Sequence, residues 1–398
     1  MDRQRIIEEA VPHRNADVAR LLLNSNGTED MRLVAQQIEG WRTACEKWPS
    51  LARNDAVWYP PRLNREQSSS ETAARYKALR LLRKGIRLAD LTGGMGIDSI
   101  AAAEGGATVD YAEQDADLCC GMEYNLGVLG ITNCRCHCCD SMAWIATQEN
   151  TYDIIYIDPA RRNKEGQRVA AFEDCTPNLL LHLDTIMHHC HRMVVKASPM
   201  IDLATAEHQL ARYLTEIHIV AIGGECKEVL FVCDKQPANN IATCCIDLSG
   251  PLTATYCDTH SFRFSHADEA TAQASYCTTA AHYLYEPHAA LMKGGPFKSL
   301  SQRYGIDKLS RNTHLYTADT LIDQWPGRVF EIVQEVQLTA KAIHKLLPNA
   351  QAHVVARNYP TAAATLQRQL KLREGGDHFI IATTIGSNKT GLLCTRVQ

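Results

Sequence analysis

The segment LADLTGGMGIDSIAAA has the residue types and spacing of a cofactor-binding turn in an α/β domain. A short apolar run leads into glycines, and a helix of small residues follows. In the dinucleotide-binding pattern G-x-G-x-x-G, the third glycine lets helix and strand pack closely. Here Gly94 and Gly96 are followed by Ser99 at the third position, and Asp90 precedes the turn. The turn therefore favours a nucleotide-like cofactor other than a dinucleotide.

Acidic residues stand at the ends of the next three predicted strands, namely Glu113, Asp140 and Asp158. The carboxyl ends of parallel strands share one edge of a sheet, where open α/β folds bind ligands. Glu113 lies where a carboxylate can accept hydrogen bonds from both hydroxyls of a ribose. NAD-dependent enzymes share this feature, so Glu113 alone does not identify the cofactor.

The elements that position these residues alternate between strand and helix from Ile86 onward, which predicts a parallel sheet with right-handed crossovers. The stretch EIHIVAIGGECKEVLFVCD predicts a terminal hairpin whose last strand is antiparallel to the rest. Residues 1–67 are predicted to be helical, with an amphipathic helix over DMRLVAQQIEGWRTACEKW. Ser68 or Ser69 is the expected N-cap of the next helix.

The C-terminal part of the chain differs in pattern and in charge. Residues 283–319 predict helix, loop, helix and strand, and the residues after 327 predict β-α-β-α-β. From Tyr283 to Gln398 there are 14 Lys and Arg against 8 Asp and Glu, a balance of +6, whereas Met1 to His282 has a balance of −10. This asymmetry permits a basic binding module attached to an acidic body.

The arrangement D-x-T-x-G-x-G from Asp90 to Gly96 resembles motif I of class I S-adenosyl-L-methionine (SAM) methyltransferases. The resemblance implies that Asp90 pairs with the methionine ammonium, Glu113 with the ribose and Asp140 with the adenine amino group. A dinucleotide site and a SAM fold without binding are the alternatives. The predicted cofactor-binding residues are Asp90, Thr92, Gly93, Gly94, Gly96, Asp98, Glu113, Asp140 and Ser141.

Two of these acids also have a structural interpretation. Asp98 can cap the first turn of the helix that follows the glycines, and Asp140 can cap the helix that begins at Ser141.

The residues Asp158-Pro159-Ala160-Arg161 stand at the motif IV position, which meets the substrate in such enzymes. Enzymes that methylate nitrogens often carry an acid or amide there, then two prolines and an aromatic ring. The acid and a proline carbonyl accept hydrogen bonds from the amine. Here the second proline and the ring are absent, and Arg161 can stack on a base or bind a phosphate. We predict Asp158, Pro159 and Arg161 as the catalytic residues.

The D-P-x-R form also resembles the motif of uracil C5 methyltransferases, which need a cysteine nucleophile on the next strand. That strand ends Lys196-Ala197-Ser198-Pro199, so Ala197 stands at the place of the nucleophile. Cys175 is close in sequence but lies at a predicted helix start. Nitrogen methylation needs only orientation and a proton acceptor, and is therefore favoured.

Several segments together resemble a bacterial family of class I methyltransferases with two small C-terminal domains. They are SSSETAARYKA, DLTGGMGID, IDPARR, VKASPMID, GECKEVLF, YLYEPHAALMKGGPF, PGRVFEIV, ARNYP and GGDHFIIATT. The fold class is then α/β, with a Rossmann-like class I methyltransferase sheet and a small α+β C-terminal region. We predict a helical segment over 1–67, a methyltransferase domain over 68–265, a ferredoxin-like domain over 279–323 and a THUMP-like domain over 324–398.

The family resemblance also implies RNA binding, because THUMP domains accompany enzymes that modify tRNA and rRNA. We expect a base nitrogen of structured RNA to be methylated. A methyltransferase acting on protein or a small molecule, and a SAM-fold RNA-binding module without turnover, are the alternatives. The candidate phosphate contacts are Lys293, Lys298, Arg303, Arg311, Arg328, Arg357, Lys371 and Arg373.

Composition bears on the location of the protein and on metal binding. Apolar runs fall short of the roughly 18 to 20 residues that a membrane helix needs, and the N-terminus MDRQRIIEEAVPHRN has no signal-peptide pattern. We therefore expect a cytoplasmic protein without a membrane partner, whose 16 cysteines are reduced. In NCRCHCCD, Cys134, Cys136 and Cys138 alternate as on one strand face rather than pairing as C-x₂₋₄-C. No metal is predicted.

Overall fold

The computed structural model describes residues 2–24, 27–149, 151–160, 172–236, 238 and 240–397. Within these ranges, every helix is too short or too polar to cross a membrane. The chain divides into two compact units. The first unit comprises Met1–Glu216, Glu228–Asn239 and Pro251–Thr255, and the second comprises Ile217–Lys227, Asn240–Gly250 and Tyr256–Gln398.

The first unit begins with the helices that precede the first strand. These are α1 (Arg3–Ala10), α2 (Val18–Asn24), α3 (Glu29–Lys47), α4 (Pro49–Ala52), α5 (Arg62–Gln67) and α6 (Glu71–Arg80). The amphipathic helix predicted around residue 40 is confirmed as α3, which buries Val34 and Ile38. Trp48, just after α3, packs in one apolar cluster with Met95 and Ile97 of the glycine turn. The N-terminal helices therefore share a core with the cofactor-binding turn.

The cap of α6 differs from the prediction. Ser70, and not Ser68 or Ser69, is the N-cap, because its hydroxyl accepts the backbone N–H of Ala73. Ser69 is instead buried, and its hydroxyl donates to Asp98 at 2.8 Å. Of these two adjacent serines, Ser70 caps the helix and Ser69 belongs to the candidate site.

Strands and helices then alternate as predicted up to the sixth strand, after which two more strands follow without an intervening helix. The elements are β1 (Arg87–Asp90), α7 (Ile97–Glu104), β2 (Thr108–Glu113), α8 (Ala116–Leu129), β3 (Cys134–Cys138), α9 (Ser141–Ala146), β4 (Tyr152–Ile157), α10 (Leu179–His188), β5 (Cys190–Ala197), α11 (Leu203–Leu210), β6 (Leu214–Ile222), β7 (Glu225–Asp234), β8 (Ala242–Asp247), α12 (Ala254–His260), β9 (Ser261–Ser265) and α13 (His266–Thr271). The larger sheet has the order β3-β2-β1-β4-β5-β7-β6-β8-β9 among the described residues.

The pairing of these strands confirms the predicted fold class. Strands β3, β2, β1, β4 and β5 pair with one another in parallel. Strand β7 is antiparallel to β5, and Gly223 and Gly224 supply the positive φ angles of the turn before it. The carboxyl ends of β1 to β4 consequently lie along one edge of the sheet.

The second unit contains a separate sheet. Its elements are β10 (Tyr283–Pro287), α14 (Ala289–Gly294), α15 (Phe297–Tyr304), β11 (Asp307–Ser310), β12 (Thr313–Ala318), β13 (Gly327–Val336), α16 (Ala340–Leu346), β14 (His353–Ala356), α17 (Ala363–Gln369), β15 (His378–Ile385) and β16 (Asn388–Arg396). Its strand order is β11-β12-β10-β13-β16-β15-β14.

The prediction that the chain is helical from residue 283 was wrong. Residues 283–287 form β10, which pairs with β12 and β13 and buries Leu284 and Tyr285. The partners come later in the chain, so the local pattern could not reveal them.

Candidate active site

The turn between β1 and α7 holds glycines for different steric reasons. Gly94 and Gly96 have φ angles of +53° and +81°, in the left-handed region that disfavours other residues. A Cβ on Gly96 would lie 2.3 Å from the sulfur of Met122, and one on Gly93 would lie 2.2 Å from the Tyr111 ring. A Cβ on Gly94 would meet nothing closer than 3.8 Å. The space beside Gly94 is therefore open, as a close approach to a cofactor requires.

Glu113 ends β2 with its carboxylate against this turn. One carboxylate oxygen accepts the N–H of Gly94 at 2.8 Å, and the other accepts the N–H of Asp115 at 2.9 Å. The Tyr111 hydroxyl donates to the Gly94 carbonyl at 2.7 Å. These bonds orient the Glu113 carboxylate beside the open space, which fits the predicted contact with a ribose.

Asp90 is turned into the protein. Its side chain accepts hydrogen bonds from the Ser99 hydroxyl at 2.6 Å and the Thr92 N–H at 3.1 Å, and the residue is 1% exposed. Burial raises the pKa of Asp90 to about 7, although both hydrogen bonds lower it. The contact of Asp90 with the methionine ammonium stays a prediction. In the structure this carboxylate is buried and accepts these two hydrogen bonds, which hold the turn.

Asp98 also lies in the interior rather than at the surface of the turn. One of its oxygens accepts the hydroxyls of Ser69 and Tyr156 at 2.8 and 2.9 Å, and the other lies 3.2 Å from Lys77 Nζ. Burial raises the pKa of Asp98, but the positive charges of Lys77 and Lys196 lower it by more. The net shift of the pKa is therefore downward. The residue predicted to bind cofactor is therefore placed in a buried polar network.

That network continues to a residue far along the chain. Lys77 Nζ donates to both carboxylate oxygens of Glu228, at 2.8 and 2.9 Å, and to the Ser69 hydroxyl at 3.1 Å. The Trp48 indole N–H donates to the Ser69 carbonyl at 2.7 Å and so fixes this serine. Lys77, Glu228 and Ser69 are all buried. Helix α6 on one side and strand β7 on the other thus meet beneath the turn.

Asp158 follows β4 and connects the substrate motif to the cofactor turn. Its N–H donates to the Thr92 hydroxyl at 2.6 Å, and one oxygen of its carboxylate accepts Lys196 Nζ at 2.5 Å. Lys196 is buried on β5, whereas the side chain of Asp158 is 22% exposed. Burial lowers the pKa of Lys196, but Asp158, Asp98 and Glu228 raise it to a net value well above the usual range. Lys196 is therefore a permanent cation behind a partly exposed carboxylate.

The remaining predicted residues lie at the same edge of the sheet or outside the described part. Asp140 is exposed and caps α9, since its carboxylate accepts the N–H groups of Met142 and Ala143 at 2.9 and 3.0 Å. Ser141 is the first residue of α9, and Pro159 is buried beside Asp158. Arg161 lies outside the described residues.

Several site residues were missed by the analysis of the sequence. They are Ser69, Lys77, Tyr156, Lys196 and Glu228. A weak signal existed, because Lys196 interrupts the apolar run MVVKA and Glu228 precedes the apolar run VLFVC. A charge within a buried strand needs a partner, but the partners are too distant in sequence to be paired by inspection.

The arrangement fits SAM at three points, which are the open space beside Gly94, the oriented carboxylate of Glu113 and the exposed carboxylate of Asp140. Asp158, whose carboxylate is partly exposed, is joined to this turn by the hydrogen bond from its backbone N–H to the Thr92 hydroxyl. Such an edge can hold a nucleoside-like cofactor beside an acceptor for a substrate N–H. The fold and the site define a class I SAM-dependent methyltransferase.

Comparison with known proteins identifies the family. A ferredoxin-like domain profile matches residues 283–326, and a THUMP domain-like profile matches residues 327–396. The crystal structure of a "putative methyltransferase" from Porphyromonas gingivalis W83 is similar at 30% identity with a TM-score of 0.86, covering 100% of this chain and 98% of that one. The chain therefore belongs to this methyltransferase family with C-terminal ferredoxin-like and THUMP-like domains, and its cofactor is SAM.

More distant similarities cover only part of the chain. A SAM-dependent methyltransferase from Agrobacterium tumefaciens matches 42% of this chain and 60% of its own, at 18% identity and a TM-score of 0.29. A 16S rRNA N2 G1207 methyltransferase from T. thermophilus, in complex with AdoMet and guanosine, matches 42% of each chain at 15% identity and a TM-score of 0.31. No assignment rests on scores this low. A search of curated proteins gives no match.

Proposed function

We propose that this methyltransferase modifies a base nitrogen of structured RNA, either tRNA or rRNA. The observation that carries the proposal is the carboxylate of Asp158, which is partly exposed and held by Lys196 at the end of β4. Lys196 occupies one carboxylate oxygen, and we assign the other oxygen to the N–H of the substrate base. A carboxylate acceptor at this place suits an amine, whereas a C5 methylation would need a cysteine nucleophile.

SAM supplies an electrophilic methyl group bonded to a positively charged sulfur. Asp158 would orient the substrate nitrogen through one hydrogen bond and receive the proton that the nitrogen loses, directly or through solvent. Pro159 would add its carbonyl as a second acceptor, and Arg161 would stack on the base or bind a phosphate. Thr92 joins Asp158 to the turn, so cofactor and substrate residues keep a constant spacing.

The C-terminal unit supports an RNA substrate by its charge and by a built pair of arginines. Arg328 Nε donates to one oxygen of the Glu286 carboxylate at 2.8 Å, and Arg357 Nε donates to the other at 2.6 Å. The Glu286 side chain is 7% exposed, whereas those of Arg328 and Arg357 are 38% and 44% exposed. One buried carboxylate thus holds two guanidinium groups at the surface with a net charge of +1, an arrangement suited to a phosphate.

The same proposal assigns weaker phosphate contacts to the remaining candidate cations of this unit. Those that are exposed in the structure are Arg303, Arg311, Lys371 and Arg373, and those that are half-buried are Lys293 and Lys298. We also propose that the enzyme acts in the cytoplasm, where such RNA is found.

The decisive experiment compares modified nucleosides by mass spectrometry in RNA from cells with and without the gene. We expect one methylated nucleoside to disappear with the gene and to return when the wild-type chain, but not Asp158→Asn, is restored. Purified protein should also transfer labelled methyl groups from SAM into RNA of the deletion strain. Label that enters only protein or small molecules would contradict the RNA substrate, and SAM binding without transfer would indicate a binding module.

A further inference from the structure

Helix α8 and strand β3 bring two thiols and a carboxylate together outside the predicted set of cofactor-binding residues. The sulfur atoms of Cys119 and Cys136 and a carboxylate oxygen of Glu123 all lie within 4.8 Å of one another. Cys119 is buried, Cys136 is half-buried and Glu123 is exposed. This set was invisible in the sequence, where the cysteines of β3 lacked a second pair of ligands.

The geometry of the two elements explains the convergence. Cys119 and Glu123 are four residues apart on α8 and therefore share one helix face. Cys136 and Cys138 are two residues apart on β3 and therefore share one face of the strand. The sulfur of Cys119 lies within 4.8 Å of the sulfur of Cys136. Cys119 and Glu123 of α8 thus face Cys136 of β3, and Cys138 follows Cys136 on the same face of the strand.

Both elements are held rigidly, so the donors are preorganised. Helix α8 is capped at its start by Asp115 and ends at Gly130, which is in the left-handed conformation. Strand β3 pairs with β2 in parallel along its whole length, from Cys134 opposite Val109 to Cys138 opposite Glu113. Tetrahedral zinc with sulfur ligands places the donors about 3.8 Å apart, which small side-chain rotations reach from the observed spacing.

Packing alone explains only part of this cluster. Cys119 lies in an apolar cluster with Tyr111 and Met122, where a thiol serves as a small hydrophobic group. Packing does not require the carboxylate of Glu123 at the exposed rim of the two thiols, whereas a thiophilic cation would use it as a ligand.

We propose that Cys119, Cys136 and Glu123 bind a thiophilic divalent cation of the zinc class, with Cys138 as the fourth donor. The cation joins α8 to β3, which is the outermost strand at this end of the sheet. Because Cys138 lies opposite Glu113 in the β2–β3 register, the site stiffens the strand ends that carry Glu113 and Asp140. The proposal is independent of which substrate the enzyme methylates.

Titration of the reduced, metal-free full-length chain with Co²⁺ tests this site, because cobalt thiolates give a charge-transfer absorption that other cobalt ligands lack. We expect about one equivalent of Co²⁺ to produce this band and Zn²⁺ to displace it. Cys119→Ser/Cys136→Ser should abolish the band. Glu123→Gln should weaken the affinity roughly tenfold or more, which corresponds to about 1.4 kcal/mol.

Cys120→Ser is the matched control, since Cys120 neighbours Cys119 on α8 but is exposed; its band and affinity should equal those of the wild type. A measurement on the unaltered chain guards against variants that fail to fold. Zn²⁺ should raise its Tm, and a chelator should reverse the rise. Absence of the charge-transfer band in the wild type, or an equal band in the double variant, would overturn the proposal.

Discussion

Lys77 and Glu228 form an ion pair with contacts of 2.8 and 2.9 Å, although 151 residues separate them in the chain. Their side chains are 0% and 3% exposed. Two charges so deeply buried are stable only when both are paired and hydrogen-bonded, and Ser69 and Asp98 complete the surroundings of Lys77. The pair therefore connects α6 to β7 beneath the candidate site.

Removing one member of this pair should be far more costly than breaking an exposed pair. Lys77→Met removes the ammonium that binds both carboxylate oxygens of the buried Glu228, and should lower the free energy of unfolding by about 3–5 kcal/mol in urea denaturation. Arg212→Ala is the control, because Arg212 and Asp184 are 69% and 70% exposed. Its cost should be about 1 kcal/mol or less. Similar losses of unfolding free energy in both variants would show that the buried pair contributes no more to stability than an exposed pair.

The two glycines of the turn should separate cofactor binding from stability. Gly94→Ala adds a methyl group where the protein leaves space, so it should cost only the strain of a left-handed residue, about 1–2 kcal/mol. It should weaken SAM binding in calorimetry by roughly tenfold or more, about 1.4 kcal/mol. Gly96→Ala adds an overlap with Met122, which raises its stability cost by about 1–3 kcal/mol. Unchanged SAM affinity in Gly94→Ala would contradict this account of the turn.

The pKa of Asp90, raised to about 7 chiefly by burial, predicts a pH dependence of stability. Below about pH 4 this carboxyl is protonated in both the folded and the unfolded chain. Between about pH 4 and 7 only the folded chain retains the proton, so the contribution of Asp90 falls as pH rises, by up to ~1.4 kcal/mol per pH unit. The free energy of unfolding of the wild type, measured relative to that of Asp90→Asn, should therefore decrease steadily from pH 4 to 7. Parallel curves would contradict the raised pKa.

The ion pair of Asp158 and Lys196 predicts a division between catalysis and cofactor binding. Asp158→Asn should lower kcat by about 100-fold or more, while SAM affinity stays near that of the wild type. Lys196→Met should lower kcat as well, because Lys196 positions the carboxylate, and Lys196→Arg should restore part of the loss. Asp153→Asn, on the same strand but exposed, is the control. Full activity in Asp158→Asn would remove this residue from the proposed mechanism.

The arginine pair on Glu286 predicts a change in the salt dependence of RNA binding. Each lost phosphate contact lowers the slope of log K against log salt by about 0.7–0.9. Arg328→Ala/Arg357→Ala should therefore reduce the slope by about 1 to 2, and Arg368→Ala, exposed on α17, should leave it unchanged. An unaltered slope in the double variant would place the RNA elsewhere.

Patterns of short range predicted the fold and the strand-end residues. Alternation of strand and helix, with acids at Glu113, Asp140 and Asp158, located the candidate site at one edge of the sheet because parallel strands align their ends. The orientation of individual side chains was harder to predict from the sequence. Asp90 turns inward, since Ser99 and the Thr92 N–H supply its donors, and the spacing of the motif contains no information on that rotation.

Contacts between distant segments were not predictable from one sequence. Lys77 meets Glu228, and Cys119 and Glu123 meet Cys136, only because helices and strands cross in the folded chain. The strand over 283–287 was missed for the same reason, since its partners β12 and β13 follow it. Local propensity competes poorly with such pairing.

The position of β7 also sets an order for synthesis on the ribosome. One edge of β5 pairs with β4, and the other edge pairs with β7, which is translated after β6. At about 5–20 residues per second, the nearly 40 residues from the end of β5 to the end of β7 take a few seconds to translate. During that interval the nascent chain exposes the unpaired edge of an apolar strand. Lys77 also lacks its partner, because Glu228 has not yet been translated. A chaperone that shields this edge would raise the yield of folded enzyme.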